Sequence, residues 1–309
     1  MTKSYEEINY LLRPKKQIER KIIAETLQRL DKLIDISKYH YFGLGSIYYA
    51  DYQLFHKYLN IERMTSIDKS ADDEDRFIFN KPYGFIDFEI SDVKEYLPKL
   101  NWNDNLFIWL DFDKVINKDM VSSINFIASK AKPLDIFVIT VNAHSPDVRV
   151  ERLFEDFMAN FGQFLEPTLT KPELKKNYTK ILQKIIKACI YDGLTHNQEK
   201  RKFLQLFNFE YQDGVTMYTY GGIFYDLNAD ISLNILKSRI SDFNHVYGDD
   251  VIGNIECPII TAKEKMYIDS KIEEGEFRGV ASDFCLCEED IKKYSKYYKY
   301  YPQYFESIY

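Results

Sequence analysis

Residues 39–68 read YHYFGLGSIYYADYQLFHKYLNIERMTSID. An aromatic-rich run at 39–42 enters Gly43-Leu44-Gly45-Ser46. Ile47, Ala50, Leu54, Phe55, Tyr58 and Leu59 then recur at helical spacing, and a second short run at 64–67 ends in Asp68. The order strand, glycine turn, helix, strand, acid is that of an adenosine site. Glycine lets a ligand approach the backbone, a helix N-terminus offers unpaired N–H groups, and the acid accepts hydrogen bonds from ribose hydroxyls. Asp68 stands 23 residues beyond Gly45, against about 20 in the dinucleotide fingerprint. The third glycine of that fingerprint is absent, because position 48 is Tyr. A bulky residue there argues against a pyrophosphate, hence against NAD or FAD, and leaves S-adenosylmethionine (SAM), which has no phosphate, as the fitting cofactor. Taken alone, the fragment is equally well a glycine-containing strand–helix turn without a ligand.

Further along, short strands are expected at 83–89, at 106–110 (LFIWL, ending in Asp111-Phe112-Asp113) and at 134–141, ending in Asn142. Continuous apolar runs separated by a helix pattern at 121–131 mark parallel strands buried on both faces. Ligands sit at the carboxyl ends of such strands, so Gly43, Gly45, Asp68, Asp111, Asp113 and Asn142 are expected on one sheet edge. Residues 203–211 and 217–225 alternate apolar residues on both sides of Asp213-Gly214, the signal of a β-hairpin. A parallel α/β sheet closed by an antiparallel hairpin resembles the plan of class I SAM-dependent methyltransferases.

Three regions follow. Residues 1–38 form a helical prefix. Residues 39–230 form a Rossmann-like α/β domain, mostly parallel, with an inserted or crossover helical region at 143–202 broken at Pro146, Pro167, Pro172 and Gly193. Residues 231–309 form a helical elaboration packed on the same domain, with a helix at 233–240, a short strand or extended segment at 255–260 and a capped helix starting at Thr261 with Glu264 at the capping-box position.

The segments LLRPKKQIERKIIAETLQRL (11–30), the 39–68 stretch, WLDFD (109–113), VITVNAH (138–144), FEYQDGVTMYTYGG (209–222), TAKEKMYID (261–269) and KYYKYYPQYFE (296–306) resemble, in order, a bacterial family labelled putative O-methyltransferase. The motifs R-P-x-K-x-I-E-R and G-x-G-S-x-Y/F-x-x-D carry the likeness. The resemblance implies a methyltransferase fold and a SAM cofactor, but no substrate. It further suggests a protein partner in a larger complex, with a loose link to anti-phage defence.

Gly43, Gly45 and Ser46 are expected at the methionine end of SAM, and Asp68 at its ribose. Asp111 is the candidate general base, with His144 beside it as a second. Asp113 and Asn142 are candidates on the acceptor side; with Asp111 they form an oxygen set for Mg²⁺, a weaker idea than the base. Arg13 and Arg20 are further acceptor-site candidates, one or the other reaching into the SAM or acceptor site on one reading. On the other, Arg13, Lys15, Lys16, Arg20 and Lys21 line a solvated helix face with Glu19 and Glu25 as partners, and this is the preferred expectation. His40 and His56 read as structural. Residues 292–304, KKYSKYYKYYPQY, read as an amphipathic helix laying its tyrosines on the domain rather than as a base-stacking patch.

A formal net charge of −7 gives no field to draw nucleic acid. No apolar run approaches the roughly 20 residues that span a bilayer, and the N-terminus lacks a secretory h-region, so a cytoplasmic protein is expected. Cys189, Cys257, Cys285 and Cys287 lack metal spacing and read as reduced thiols. The functional expectation is SAM-dependent methyl transfer, in O-methyl form, to a small-molecule or macromolecular acceptor. Its alternative is a methyltransferase-fold protein that has lost turnover and serves as a SAM or nucleotide sensor or a scaffold subunit. The Tyr at position 41, where an acid commonly precedes the first glycine, keeps that alternative open.

Overall fold

Two apolar periods alternate along the first half of the chain, and the backbone follows them. The structure is a computed structural model that describes residues 13–302 other than 70, 146–148, 227–232, 247–250, 274–275 and 278–286. Residues 1–12 of the expected helical prefix, Pro146, Cys285 and residues 303–309 lie outside the described residues. Helix α1 (Pro14–Ile34) leads into β1 (His40–Leu44), α2 (Ala50–Leu59), β2 (Arg63–Asp68), α3 (Glu74–Phe79), β3 (Ile86–Ile90), α4 (Val93–Tyr96), β4 (Leu106–Asp111), α5 (Lys118–Lys130) and β5 (Ile136–Asn142). Then come α6 (Val150–Phe161), α7 (Lys171–Lys176) and α8 (Tyr178–Thr195), followed by the long strands β6 (Lys202–Asp213) and β7 (Val215–Tyr225).

The strand order is β3-β2-β1-β4-β5-β7-β6-β8. β1 to β5 pair in parallel, β7 runs antiparallel to both β5 and β6, and the short β8 (Gly253–Ile255) adds a parallel strand outside β6. This is the Rossmann-like class I methyltransferase arrangement. Asp213 pairs with Val215 across Gly214, whose φ of 107° is the left-handed conformation that a tight hairpin turn requires.

Period-2 alternation sends successive side chains to opposite faces. Tyr41, Phe107, Trp109, Ile136 and Val138 join the core beneath α1 and α2, whereas Phe42, Ile108, Leu110, Phe137 and Ile139 join the core beneath α5 and α8. Both faces are covered, which is why these strands read as unbroken apolar runs.

Four local expectations are corrected. β5 starts two residues late, because Leu134 adopts φ 76° and the Asp135 carboxylate accepts the N–H groups of Lys132 and Leu106 at 2.8 and 2.9 Å. Gly193 does not break a helix. It lies inside α8, where a Cβ would come within 2.5 Å of the Asn125 carbonyl oxygen, so it lets α8 press on α5 as the crossover between β5 and β6. Of the two alternatives at 255–260, a strand is formed only at Ile255, the end of Gly253–Ile255, and Pro258 beyond it has no N–H for a ladder. The basic stretch of α1 is no solvated face: Lys16, Glu19 and Arg20 are buried.

The C-terminal part forms α9 (Leu233–Ile240), α10 (Ala262–Asp269), a small ribbon (Ile272–Glu273 with Glu276–Phe277) and α11 (Glu288–Tyr297). Thr261 and Glu264 form the capping box of α10. Ile291, Tyr294 and Tyr297 of α11 are buried, and the Tyr294 hydroxyl donates to Asp269 at 2.6 Å, so the tyrosine face packs inward. Among the described residues no helix is long and apolar enough to cross a membrane.

Candidate functional site

Strand register brings the expected residues to one edge. Gly43 is level with Ser66 and Trp109, Asp68 with Ile90, and Asp111 with Thr140. Gly45, Ser46, Asp68, Asp111 and Asn142 therefore leave the carboxyl ends of neighbouring strands. Strand order reverses between β1 and β4, and that switch point is where open α/β sheets place their crevice.

The glycine turn differs from its sequence expectation. Helix α2 begins only at Ala50, because Tyr49, fully buried, takes φ 46° at its N-cap. The Gly45 N–H donates to the Ile67 carbonyl at 2.6 Å, and the Ser46 carbonyl and hydroxyl accept from the N–H groups of Tyr49 (3.0 Å) and Tyr48 (3.4 Å). The Gly45 N–H is thus spent on the neighbouring strand, while Ser46 accepts within the turn through its carbonyl and hydroxyl oxygens. A Cβ on Gly43 would lie 2.7 Å from the Tyr41 hydroxyl and 3.0 Å from that of Tyr52, so this glycine makes room for two tyrosines. The missing acid before Gly43 has a counterpart. Tyr41 donates its hydroxyl to Asp51 in the first turn of α2. Burial pushes the Asp51 carboxyl up from its ordinary pKa, and the charge of Arg20 opposes that shift.

Helix α1 lays its charged first turns across this edge. The Lys16 ammonium lies 2.7 Å from Glu19, 2.7 and 2.8 Å from the two Asp111 oxygens, and 4.6 Å from the centre of the Trp109 ring. Glu19 accepts from the Thr219 hydroxyl, which is 2.8 Å from that of Thr140, and Thr140 in turn accepts the Trp109 indole N–H at 3.0 Å. Burial raises the Glu19 carboxyl, with Lys16 opposing. The Asp213 carboxylate accepts the Lys16 backbone N–H at 2.9 Å, capping α1 from the hairpin tip, and Arg13 lies close enough for its charge to act on Asp213.

Arg20 is 4% exposed, and among the described residues neither its Nε nor its Nη1 has a hydrogen-bond partner. Asp113 and His144 are exposed at the rim. Asn142 accepts the His144 backbone N–H through its side-chain oxygen at 2.8 Å. His40 bonds Thr65 at 2.8 Å and His56 faces the Ile61 carbonyl at 3.1 Å, both structural. Among the described residues no three His, Cys, Asp or Glu side chains gather as a metal site. Cys189, Cys257 and Cys287 are free. A separate cavity of about 330 Å³, lined by Gln28, Asp31, Tyr58 and Asn60, opens at the opposite, amino end of the strands.

Sequence reasoning passed over Lys16, Glu19 and Asp51 as members of this edge. The signal was present for the first two, because they continue the apolar stripe of Ile23, Thr26 and Leu30 backward at spacings of three and four.

A search of curated proteins gave no match. Among solved structures, the chain is similar to Trm1 from Pyrococcus horikoshii in complex with S-adenosyl-L-methionine, at 12% identity over 78% of this chain and 61% of that one, with a TM-score of 0.48. It is similar to a probable spermidine synthase from Corynebacterium glutamicum, at 13% over 75% of each chain and a TM-score of 0.42. N-methyltransferase NodS from Bradyrhizobium japonicum aligns at 11% over 67% of this chain and 97% of its own, with a TM-score of 0.37. The family model described as Putative O-methyltransferase matches residues 8–309, and the chain belongs to that family.

Proposed function

We propose that this protein is a SAM-dependent methyltransferase acting on an oxygen acceptor. One observation carries the reading: Asp68, Asp111 and the Gly43–Gly45 turn meet at the carboxyl edge of a parallel sheet, across its topological switch point. Family membership points the same way.

The residues present fit the cofactor. Asp68 ends β2, where a carboxylate meets ribose hydroxyls, and Arg20 keeps buried donors free for an anion. Bound SAM would supply an electrophilic methyl group on sulfur. The chain's own part is alignment and removal of the acceptor proton. Asp111 stands at the end of β4 for that task, but both of its oxygens already take the Lys16 ammonium, so accepting a proton means loosening that pair. His144 is the second proton acceptor, exposed at the rim.

The Lys16–Asp111 pair also favours a second reading, a subunit that binds SAM without turning it over. Thermal melting and calorimetric titration with SAM and S-adenosylhomocysteine test the cofactor. Binding to the native state alone raises the melting temperature, and Asp68→Ala removes most of the rise. No shift at millimolar SAM overturns the cofactor assignment. Labelled SAM with cell extract then separates enzyme from sensor: label transferred by the wild type, and lost in an Asp111→Asn or His144→Ala variant that still binds SAM, supports catalysis.

A further inference from the structure

A buried guanidinium with open donors is costly, because the charge has left water without gaining the hydrogen bonds that replace it. Arg20 is such a group. It lies on α1, one helical turn beyond Lys16, and whereas Lys16 is saturated by Glu19 and Asp111, the Nε and Nη1 of Arg20 meet no acceptor among the described residues. Its charge acts on Asp51, and Asp51 already receives the Tyr41 hydroxyl. Tyr41 in turn leans over Gly43. Arg20 is therefore held beside the first turn of α2 and the end of β1, at the edge where a cofactor's methionine half would lie.

The glycine loop leaves an unmet need at the same place. The Gly45 N–H is bonded to the Ile67 carbonyl, and the Ser46 hydroxyl, which accepts the Tyr48 N–H, has only its own neutral O–H to offer an anion, so the loop supplies no charge. An α-carboxylate entering this edge has to find its positive partner elsewhere. Lys16 is engaged by two carboxylates, whereas the Nε and Nη1 of Arg20 meet no acceptor among the described residues.

We infer that Arg20, on a helix outside the sheet, receives the α-carboxylate of the methionine half of SAM. The inference rests on the SAM reading. A guanidinium presents planar paired donors that match a carboxylate, and the buried setting strengthens the contact. Asp51 beside it balances the arginine while the site is empty and suits the α-ammonium when it is filled.

The test compares four ligands by calorimetric titration: S-adenosylhomocysteine against 5′-methylthioadenosine, which lacks the amino-acid head, and SAM against decarboxylated SAM. The wild type should bind S-adenosylhomocysteine about ten- to a hundred-fold more tightly than methylthioadenosine, the range of a hydrogen bond to a charged group. Arg20→Gln should abolish that advantage and leave methylthioadenosine affinity unchanged, with Arg20→Lys between the two. Unchanged methylthioadenosine binding also shows that the variant is folded. If Arg20→Gln weakens both ligands alike, or spares both, the assignment is overturned and the SAM reading stands. If neither arginine variant folds, the wild type decides: equal affinity for SAM and decarboxylated SAM overturns the inference, and a ten-fold or greater preference for SAM upholds it. If the wild type binds none of these ligands, the inference falls together with the SAM reading.

Discussion

The ammonium of Lys16, 1% exposed, lies 2.7 Å from an Asp111 oxygen and so ties the N-terminal helix to the end of the central strand β4. An ion pair in this setting is held by mutual need. Its desolvation penalty falls on Lys16 and on Glu19, which is 0% exposed, while Asp111 keeps 27%; removing Lys16 leaves the buried Glu19 without its counter-charge.

Lys16→Met should therefore destabilise the protein by about 3–5 kcal/mol, the cost of breaking a buried pair from one side. Replacing Lys16, Glu19 and Asp111 together with uncharged residues of similar shape should cost much less. Urea denaturation with matched m-values checks both; a single-variant loss below about 1 kcal/mol, the surface-pair range, refutes the buried network.

Asp213 supplies the side-chain cap that α1 lacks locally, since Arg13 at the N-cap position makes no such bond. Asp213→Ala should cost about 1–2 kcal/mol. It should also speed amide exchange in the first turn of α1, with little effect at α8 on the other face. Equal acceleration throughout the chain would mean that Asp213 acts only as a turn residue.

How far the sequence carried this architecture depends on which forces were local. The parallel core was legible because double burial writes itself as unbroken apolar runs, and the hairpin because Asp213-Gly214 has a turn chemistry of its own. The edge was legible as a place, through Asp68 and Asp111, since strand ends are fixed by the same runs. Its chemistry was less so. Lys16, Glu19 and Arg20 look like surface charges in any window, and only the return of α1 across the sheet buries them. Tyr49 hides the helix start, because nothing in Ser46-Ile47-Tyr48-Tyr49 announces a left-handed residue.

Gly43→Ala tests whether that glycine serves packing. The added methyl would sit 2.7 Å from the Tyr41 hydroxyl, closer than atoms tolerate, so a loss of about 1–3 kcal/mol is expected from overpacking. Tyr41→Phe in the same chain should recover part of it by removing the oxygen. A double-mutant cycle with no coupling between positions 41 and 43 would refute the contact.

The last prediction concerns pH. His245 is stacked on Tyr297 at 5.2 Å and set edge-on to Phe243 and Tyr300. Burial, aided by the charge of Lys296, pushes its pKa down to about 4 from an ordinary 6.5. Between those values the unfolded chain takes up a proton that the native ring refuses. The resulting stability is fully present above pH 6.5 and is lost as pH falls toward 4. By linkage the loss from pH 7 to pH 5 is about 2 kcal/mol. Asp135 works against it in part of this window: burial raises its carboxyl to about 6, so the native state holds a proton there that the unfolded chain releases. Comparison with His245→Phe cancels that opposing effect, since Asp135 is present in both proteins. The phenyl ring keeps the aromatic packing and cannot charge, so the variant should lose about 2 kcal/mol less than the wild type between pH 7 and pH 5, measured by denaturant titration at each pH. Parallel pH profiles for the two proteins would show that His245 carries no proton-linked stability.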